Sequence, residues 1–213
     1  MRRHLSPTLI VVAMKDPGAA KTRLCARLGP AERRRLALTL FDRTLCVLGA
    51  VRRRLDVEIA VVTPSPDIAG RAMRAGAHVI GEDQAAGLNA AAARAARWAE
   101  AAGHTRLCLL PADIAAPDPR DIAQLIATAE ETAAPVICPA HDGGTNALVL
   151  PLPAGLAFRY GPGSAARHAA VARAAGFDPI LLPLQSLRED VDTPDTYARA
   201  LEHRPDLRRA VAG

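Results

Sequence analysis

Three aspartates stand at the ends of two apolar segments, where they could bind one metal ion. Asp113 follows the apolar run 107–112, which has the character of a buried strand, and Asp190 and Asp192 lie far downstream. The last two are two positions apart, so an extended chain presents both on one face. Such oxygen ligands suit Mg²⁺ (or Mn²⁺), which keeps water or phosphate oxygens as its other ligands. The alternative is structural, because the sequence 192–195 is also a good helix N-cap.

A basic loop follows the first apolar run. Residues 14–24 contain Lys15, Lys21 and Arg23, together with a glycine and backbone N–H groups that a loop leaves free. This combination suits a polyphosphate, although neither GxxxxGK[ST] nor GxGxxG is present. The alternative is a solvated basic loop without a ligand.

Other polar residues follow later apolar segments. The backbone at Thr63 suits the edge of a nucleotide base, or forms an ordinary turn. Gly87 and Asn89 open a helical segment, and Asn89 either caps that helix or binds a base or ribose.

Two glycine-rich loops, 142–146 and 159–164, flank one apolar segment. The second loop leads into a helix that begins with Ser164 and carries Arg167 and His168. Free N–H groups, a hydroxyl and an arginine there predict a site for a phosphate or carboxylate. The alternative is a plain N-cap at Ser164 and a surface role for Arg167. We expect His168 to be neither metal ligand nor base, because no second histidine lies at ligand spacing.

Short apolar runs alternate with alanine- and arginine-rich helical stretches along the whole chain. This alternation predicts an α/β fold: one three-layer α/β/α domain, residues 1–213, with a mainly parallel sheet and an antiparallel excursion within 142–163. The predicted strands are 9–14, 58–63, 78–80, 106–111, 136–139, 146–151 and 179–184. The predicted helices are 30–54, 67–75, 87–102, 118–129, 164–175 and 194–202. Ligands of such sheets bind at the carboxyl ends of the strands, where the polar residues fall.

Composition narrows the class of partner. Aromatic residues make up only 3% of the 213, so aliphatic side chains must build the core. The net charge of +5 is modest and the arginines are scattered, which favours an anionic small-molecule substrate and no nucleic-acid partner. The four cysteines lack CxxC spacing, so we expect small core residues in a reducing compartment. No apolar run is long enough for a signal or membrane segment, which predicts a cytoplasmic protein. Apolar residues on the helices are compatible with a homodimer, but periodicity does not decide this.

The ordered motifs resemble the 2-phospholactate guanylyltransferase family of coenzyme F(420) biosynthesis. They cover nearly the whole chain: KTRL (21–24), GLNAA (87–91), LPAD (110–113), DGGTNAL (142–148), YGPGSAARHA (160–169) and DVDTPDTY (190–197). The resemblance implies a nucleotide-diphospho-sugar transferase-like, Rossmann-like fold. It also implies transfer of GMP from GTP to the phosphate of a small acid, with release of pyrophosphate. The acid is 2-phospholactate, phosphoenolpyruvate or 3-phosphoglycerate, among which one sequence does not choose.

The resemblance also implies roles for individual residues. It assigns Mg²⁺ to Asp113, Asp190 and Asp192. The acid-binding residues it implies are Thr145, Gly161 and Ser164. It places the triphosphate by Lys15, Lys21 and Arg23, with Lys21, Arg23 and Asp113 acting in catalysis. It places the nucleoside by the segment 87–89.

Three other functions remain open at this stage. A sugar-phosphate nucleotidyltransferase of the same fold would need a larger pocket beyond Tyr160. A glycosyltransferase-like branch shares the opening 14–18 and KTRL, but DGGTNAL followed by GPGS argues against it. A non-catalytic nucleotide-binding regulatory protein would bind nucleotide without metal-dependent turnover.

Overall fold

A seven-stranded sheet forms the centre of the protein. The computed structural model describes residues 7–84 and 86–212. Its strands are β1 (Thr8–Ala13), β2 (Val57–Thr63), β3 (His78–Gly81), β4 (Arg106–Leu110), β5 (Val136–Pro139), β6 (Thr145–Pro151) and β7 (Ile180–Leu181). They are arranged in the order β3-β2-β1-β4-β6-β5-β7.

The sheet is parallel except for one strand. β1 pairs in parallel with β2 and β4, β2 with β3, and β5 with β7. β6 runs antiparallel between β4 and β5, which confirms the predicted antiparallel excursion. Its pairing with β5 shifts register beside Cys138 and Pro139, and this irregularity lies at Thr145 and Asn146, where β6 begins. Antiparallel β6 therefore begins at the sheet edge where the neighbouring parallel strands end.

Helices cover both faces of the sheet. They are α1 (Pro30–Arg52), α2 (Pro66–Arg74), α3 (Leu88–Ala102), α4 (Pro119–Thr132), α5 (Ser164–Ala174), α6 (Pro194–His203) and α7 (Asp206–Ala212). One core cluster joins α1, α2 and α4 to the sheet, and a second joins α3 and α5 to its other face. Alternate β1 residues enter the two clusters, so this central strand is apolar on both sides. The three-layer α/β/α prediction is confirmed.

Local sequence explains where the helices begin. Proline stands in the first turn of α1, α2, α4 and α6, where its missing N–H removes no helical hydrogen bond. Asp118 caps α4 by accepting from the Arg120 N–H, and Thr193 caps α6 by accepting from the Thr196 N–H. The helix-cap interpretation of the DTPD sequence is therefore correct for Thr193, and it coexists with a separate arrangement of Asp190 and Asp192.

Two expectations about the elements and the cysteines are corrected. β7 is much shorter than predicted, and α7 was not predicted. Cys25 and Cys46 are exposed, against the expectation that all four cysteines lie in the core, whereas Cys108 and Cys138 are buried. Cys46 lies on the outer side of α1, and Cys25 follows a short 3₁₀ turn, so an apolar neighbourhood in sequence did not bring burial.

Among the helices of the described residues, none combines the length and hydropathy needed to cross a bilayer.

Candidate active site

A cavity of about 650 Å³ opens at the carboxyl ends of β1 and β4 and the start of β6. This is the edge at which open parallel sheets bind ligands. Its lining includes Met14, Lys15, Lys21, Arg23, Glu82, Gly87, Leu88, Asp113, Thr145, Asn146, Tyr160 and Asp192. The cavity therefore brings together residues that stand as far apart in sequence as the β1 loop and the start of α6.

The three aspartates do converge. A two-residue bridge pairs Ile114 with Asp190, and the Val191 N–H donates to the Asp113 carbonyl at 3.0 Å. Val191 is fully buried, so its neighbours Asp190 and Asp192 both turn toward the cluster. One carboxylate oxygen from each aspartate lies within 4.8 Å of the other two. Three hard oxygen donors at this separation fit the ligand set of Mg²⁺.

Lys21 lies among these carboxylates. Its buried Nζ donates to Asp113 Oδ2 at 2.6 Å and to Asp192 Oδ1 at 3.0 Å. Burial alone would lower the pKa of Lys21, but the two carboxylates outweigh burial and hold that pKa above its ordinary value. Lys21 therefore carries a positive charge at the centre of the acidic cluster. Its backbone has a φ of 56°, a left-handed conformation that turns the loop inward at this point.

Asp190 is the carboxyl group most affected by burial. Burial, with repulsion from Asp113 and Asp192, raises the pKa of Asp190 to about 6. The carboxylates therefore repel one another more than Lys21 alone neutralises. A cluster of this kind favours an additional cation.

The other basic residues of the first loop are more exposed. Arg23 is 73% exposed at its side chain, with Nη1 3.7 Å from Asp192 Oδ2. Lys15 is exposed and lines the cavity. Asp16 accepts from the Gly18 N–H at 2.7 Å and so holds the turn between them. These cations surround the mouth of the cavity beside the acidic cluster, where anionic phosphates would be attracted.

A hydrogen-bonded group of side chains lies where β6 and α5 begin. Thr145 Oγ1 is 2.9 Å from His168 Nδ1 and 3.1 Å from Ser164 Oγ. Thr145 lines the cavity, whereas Ser164 is 1% exposed and is not part of the lining. Gly161 accepts from the Ser164 N–H through its carbonyl, and its φ of 122° is one that favours glycine. Burial, assisted by Arg167, lowers the pKa of His168 to about 4. His168 is therefore a neutral ring at ordinary pH.

The residues expected beside the nucleoside separate into two groups. Gly87 lines the cavity, and a Cβ there would meet open space, although its φ of 90° favours glycine. Both ends of the Asn89 amide are engaged, because its Oδ1 accepts from the Tyr160 N–H at 2.7 Å and its Nδ2 donates to the Tyr160 carbonyl. Thr63 is buried: its hydroxyl accepts from the Ser65 N–H and its carbonyl accepts from the Glu82 N–H. Thr63 and Asn89 thus lie outside the cavity lining, with their polar groups bound within the protein.

Comparison with known proteins places this geometry in a family. The model of a family described as guanylyl transferase CofC like matches residues 8–206. The chain is 37% identical to a 3-phospho-D-glycerate guanylyltransferase of Colwellia psychrerythraea, over 88% of each chain. It is 35% identical to a phosphoenolpyruvate guanylyltransferase of Sphaerobacter thermophilus, over 93% of this chain and 94% of that one. The chain belongs to the guanylyl transferase CofC-like family.

Solved structures support the fold. A putative nucleotide-diphospho-sugar transferase from Desulfovibrio desulfuricans aligns with a TM-score of 0.70 at 20% identity, covering 97% of this chain and 98% of that one. Membership of the family makes this protein a nucleotidyltransferase. The predicted fold class, including its nucleotide-diphospho-sugar transferase-like character, is confirmed.

Several residues that line the cavity, among them Glu82 and Asn146, were given no role by the sequence. Asn146 contributes to the lining, and its Nδ2 is buried without a hydrogen-bond acceptor among the residues the structure describes. Asn146 lies at the irregular start of β6, and such irregularities redirect side chains next to active sites. The available signal was a lone amide directly before the apolar run 147–150, since asparagine is depleted in strands.

Proposed function

We propose that this protein joins GMP from GTP to the phosphate of a small phosphorylated acid, releasing pyrophosphate, in coenzyme F(420) biosynthesis. The acid is 2-phospho-L-lactate, phosphoenolpyruvate or 3-phospho-D-glycerate. One observation carries the proposal: two of the three converging carboxylates, Asp113 and Asp192, line one cavity with basic side chains and with the hydroxyl-bearing Thr145. Family membership supports the identity of the transferred group, since the family is described as guanylyl transferases.

The reaction needs alignment and charge neutralisation more than a strong base. An ionised phosphate oxygen of the acid attacks the α-phosphorus of GTP, and the bond from that phosphorus to the β-bridging oxygen breaks. The electron pair leaves with pyrophosphate, so no proton has to be removed from the nucleophile. This agrees with the state of His168, which bonds the cavity-lining Thr145 from behind and is held neutral.

Asp113, Asp190 and Asp192 would hold Mg²⁺ (or Mn²⁺). Their oxygen donors fit this ion. Burial, with repulsion from Asp113 and Asp192, raises the pKa of Asp190, and a bound cation would offset that repulsion. When bound, the ion would offset negative charge on the phosphates during transfer.

The chain's own residues supply the rest. Lys15 and Arg23 attract the triphosphate to the mouth of the cavity, and Arg23 and Lys21 stabilise charge on the departing pyrophosphate. Thr145 binds the acid at the start of β6, with Gly161 and Ser164 shaping the loop behind it. Gly87 leaves room beside the nucleoside, and Asn89 and Thr63 act from outside the lining by fixing the surrounding backbone. One domain, residues 1–213, carries the whole reaction.

The proposal involves small molecules in the cytoplasm and neither nucleic acid nor a membrane. The homodimer stays a prediction, which sedimentation velocity of the purified protein would check.

The test is pyrophosphate release with Mg²⁺ and GTP, offering each of the three acids, then glucose-1-phosphate, and then ATP in place of GTP. We expect turnover with GTP and at least one acid, lost in Asp192→Asn. Asp195→Asn is the matched control, because Asp195 is an exposed acid three residues away and outside the cluster. Turnover with glucose-1-phosphate alone would move the protein to the sugar-nucleotide class. GTP binding without turnover of any acceptor would favour a regulatory nucleotide-binding protein.

A further inference from the structure

A chain of hydrogen bonds connects the backbone at Arg159 to the Thr145 hydroxyl through the ring of His168. The Arg159 N–H donates to His168 Nε2 at 2.9 Å, and His168 Nδ1 lies 2.9 Å from Thr145 Oγ1. The hydrogen bond to Thr145 is buried, the one from Arg159 is part-buried, and His168 is 5% exposed. The ring is therefore held at both nitrogens inside the protein.

These contacts determine which nitrogen carries the proton. A backbone N–H can only donate, so His168 Nε2 must accept and is unprotonated. A neutral imidazole carries one proton, which then lies on Nδ1 and is donated to Thr145 Oγ1. Burial keeps the ring neutral, in agreement with the lowered pKa of His168.

The proton count then fixes the polarity of Thr145. Its oxygen has two lone pairs, and one accepts from His168. The other faces the Ser164 hydroxyl at 3.1 Å, and because Ser164 is almost fully buried, Thr145 is the partner that the described residues offer to the Ser164 proton. With both lone pairs engaged, the hydroxyl of Thr145 can only donate. The cavity is the direction left for that proton, because Thr145 lines the cavity and Ser164 lies behind it, almost fully buried.

We propose that His168 is a positioning residue that makes the Thr145 hydroxyl a donor only, directed at an anionic oxygen of the phosphorylated acid. The inference rests on the proposed function, since it takes the acid as the acceptor. A carboxylate or phosphate oxygen only accepts, and a hydrogen bond to a charged acceptor is about twice as strong as a neutral one. His168 thus favours ionised oxygens beside Thr145 without touching the substrate.

The surrounding packing keeps the ring in this orientation. Tyr160 lies edge-on to His168, with ring centroids 4.8 Å apart and planes at 75°. A histidine that only filled space would need this packing but not its particular proton, and this difference can be tested.

Two substitutions each keep one of the two hydrogen bonds of the ring. His168→Asn places an amide nitrogen where Nδ1 lies and can still donate to Thr145. His168→Gln reaches to where Nε2 lies and can still accept from the Arg159 N–H, but it has no donor for Thr145. Both remove the ring, so the loss of packing is similar.

We expect His168→Gln to raise the KM for the acid about 10-fold or more, with the KM for GTP unchanged, as for one lost hydrogen bond to a charged group. His168→Asn should stay within about threefold of wild type, because its amide N–H still donates to Thr145. In a Thr145→Val background, His168→Gln should have no further effect on the acid, because the hydroxyl it orients is gone. Thermal unfolding of all variants would confirm that they fold.

Equal rises in KM for the two histidine variants, or an undiminished effect in the Thr145→Val background, would overturn the role of His168 while leaving the guanylyltransferase intact. Nitrogen-15 NMR of the ring adds a readout that does not depend on activity, and a proton found on Nε2 would also overturn the inference. Wild-type protein that turns over none of the acids would instead overturn the proposed function, and with it the acid as acceptor.

Discussion

Replacing Lys21 by methionine should destabilise the protein without metal and make it depend more on metal. The substitution keeps the length of the side chain but removes the ammonium group that contacts Asp113 and Asp192. Removing one partner of a buried ion pair costs about 3–5 kcal/mol because the remaining charge is left uncompensated. Asp113 and Asp192 are 28% and 38% exposed, so water reduces the cost here to about 2 kcal/mol.

That loss should appear as a lower melting temperature in the presence of a chelator. For a protein of this size, 2 kcal/mol corresponds to a shift of roughly 4–8 °C. Added Mg²⁺ should then stabilise Lys21→Met more than wild type, since the ammonium group no longer occupies the space among the carboxylates. Scanning calorimetry over a series of Mg²⁺ concentrations measures both effects.

Lys15→Met is the control, because Lys15 is exposed and lies in the same loop. It should weaken GTP binding with little change in melting temperature. The reasoning would be refuted if Lys21→Met melted with wild type in chelator, or if Mg²⁺ raised both melting temperatures equally.

Three further predictions concern residues at and around the start of β6: Asn146, Asn89 and His168. Asn146→Ala should raise the KM of GTP or of the acid at least about 5-fold, which steady-state kinetics checks. The free energy of unfolding, measured with denaturant, should stay unchanged or rise, because the substitution removes a buried donor without an acceptor. Asn89→Ala should raise the KM of the acid more than that of GTP, since Asn89 holds Tyr160; steady-state kinetics with either substrate varied would show the reverse if Asn89 bound the nucleoside. Between pH 7 and pH 4, the free energy of unfolding of the wild type should fall by up to about 3 kcal/mol more than that of His168→Asn. Urea unfolding at each pH measures the difference. The sign follows because the unfolded histidine takes up a proton below pH 6.5, whereas the folded ring resists until about pH 4. Equal slopes for the two proteins would contradict the burial of a neutral ring.

The sequence predicted the fold well because its apolar runs and helix signals agree with tertiary structure. Every predicted strand and helix is present, and most bounds agree within three residues. β7 is the exception among strands, since only Ile180 and Leu181 pair with β5. α7 was missed because two apolar residues, Leu207 and Val211, give a helix of seven residues little signal before it packs against α1.

The sequence predicted those site residues that directly follow an apolar segment. The convergence of Asp113 with Asp190 and Asp192 follows from the sheet edge that the carboxylates share. The contact of Lys21 with two of them does not, because a pattern shows only a basic loop and gives no account of its left-handed turn. His168 was expected to be neither metal ligand nor base and was given no other role, since its importance lies in which atoms it bonds rather than in its spacing from another histidine.

Asn89 joins the start of α3 to the loop that precedes α5. Its position at the start of α3 suggested a nucleoside contact, and the neighbouring Gly87 does line the cavity. The amide instead bonds both backbone groups of Tyr160, at the head of the loop that carries Gly161 and leads into α5. Tyr160 in turn packs against His168, which orients Thr145. The contacts made at the start of α3 thus continue to Thr145 through three residues, Asn89, Tyr160 and His168, which is why Asn89→Ala is expected to affect the acid more than GTP.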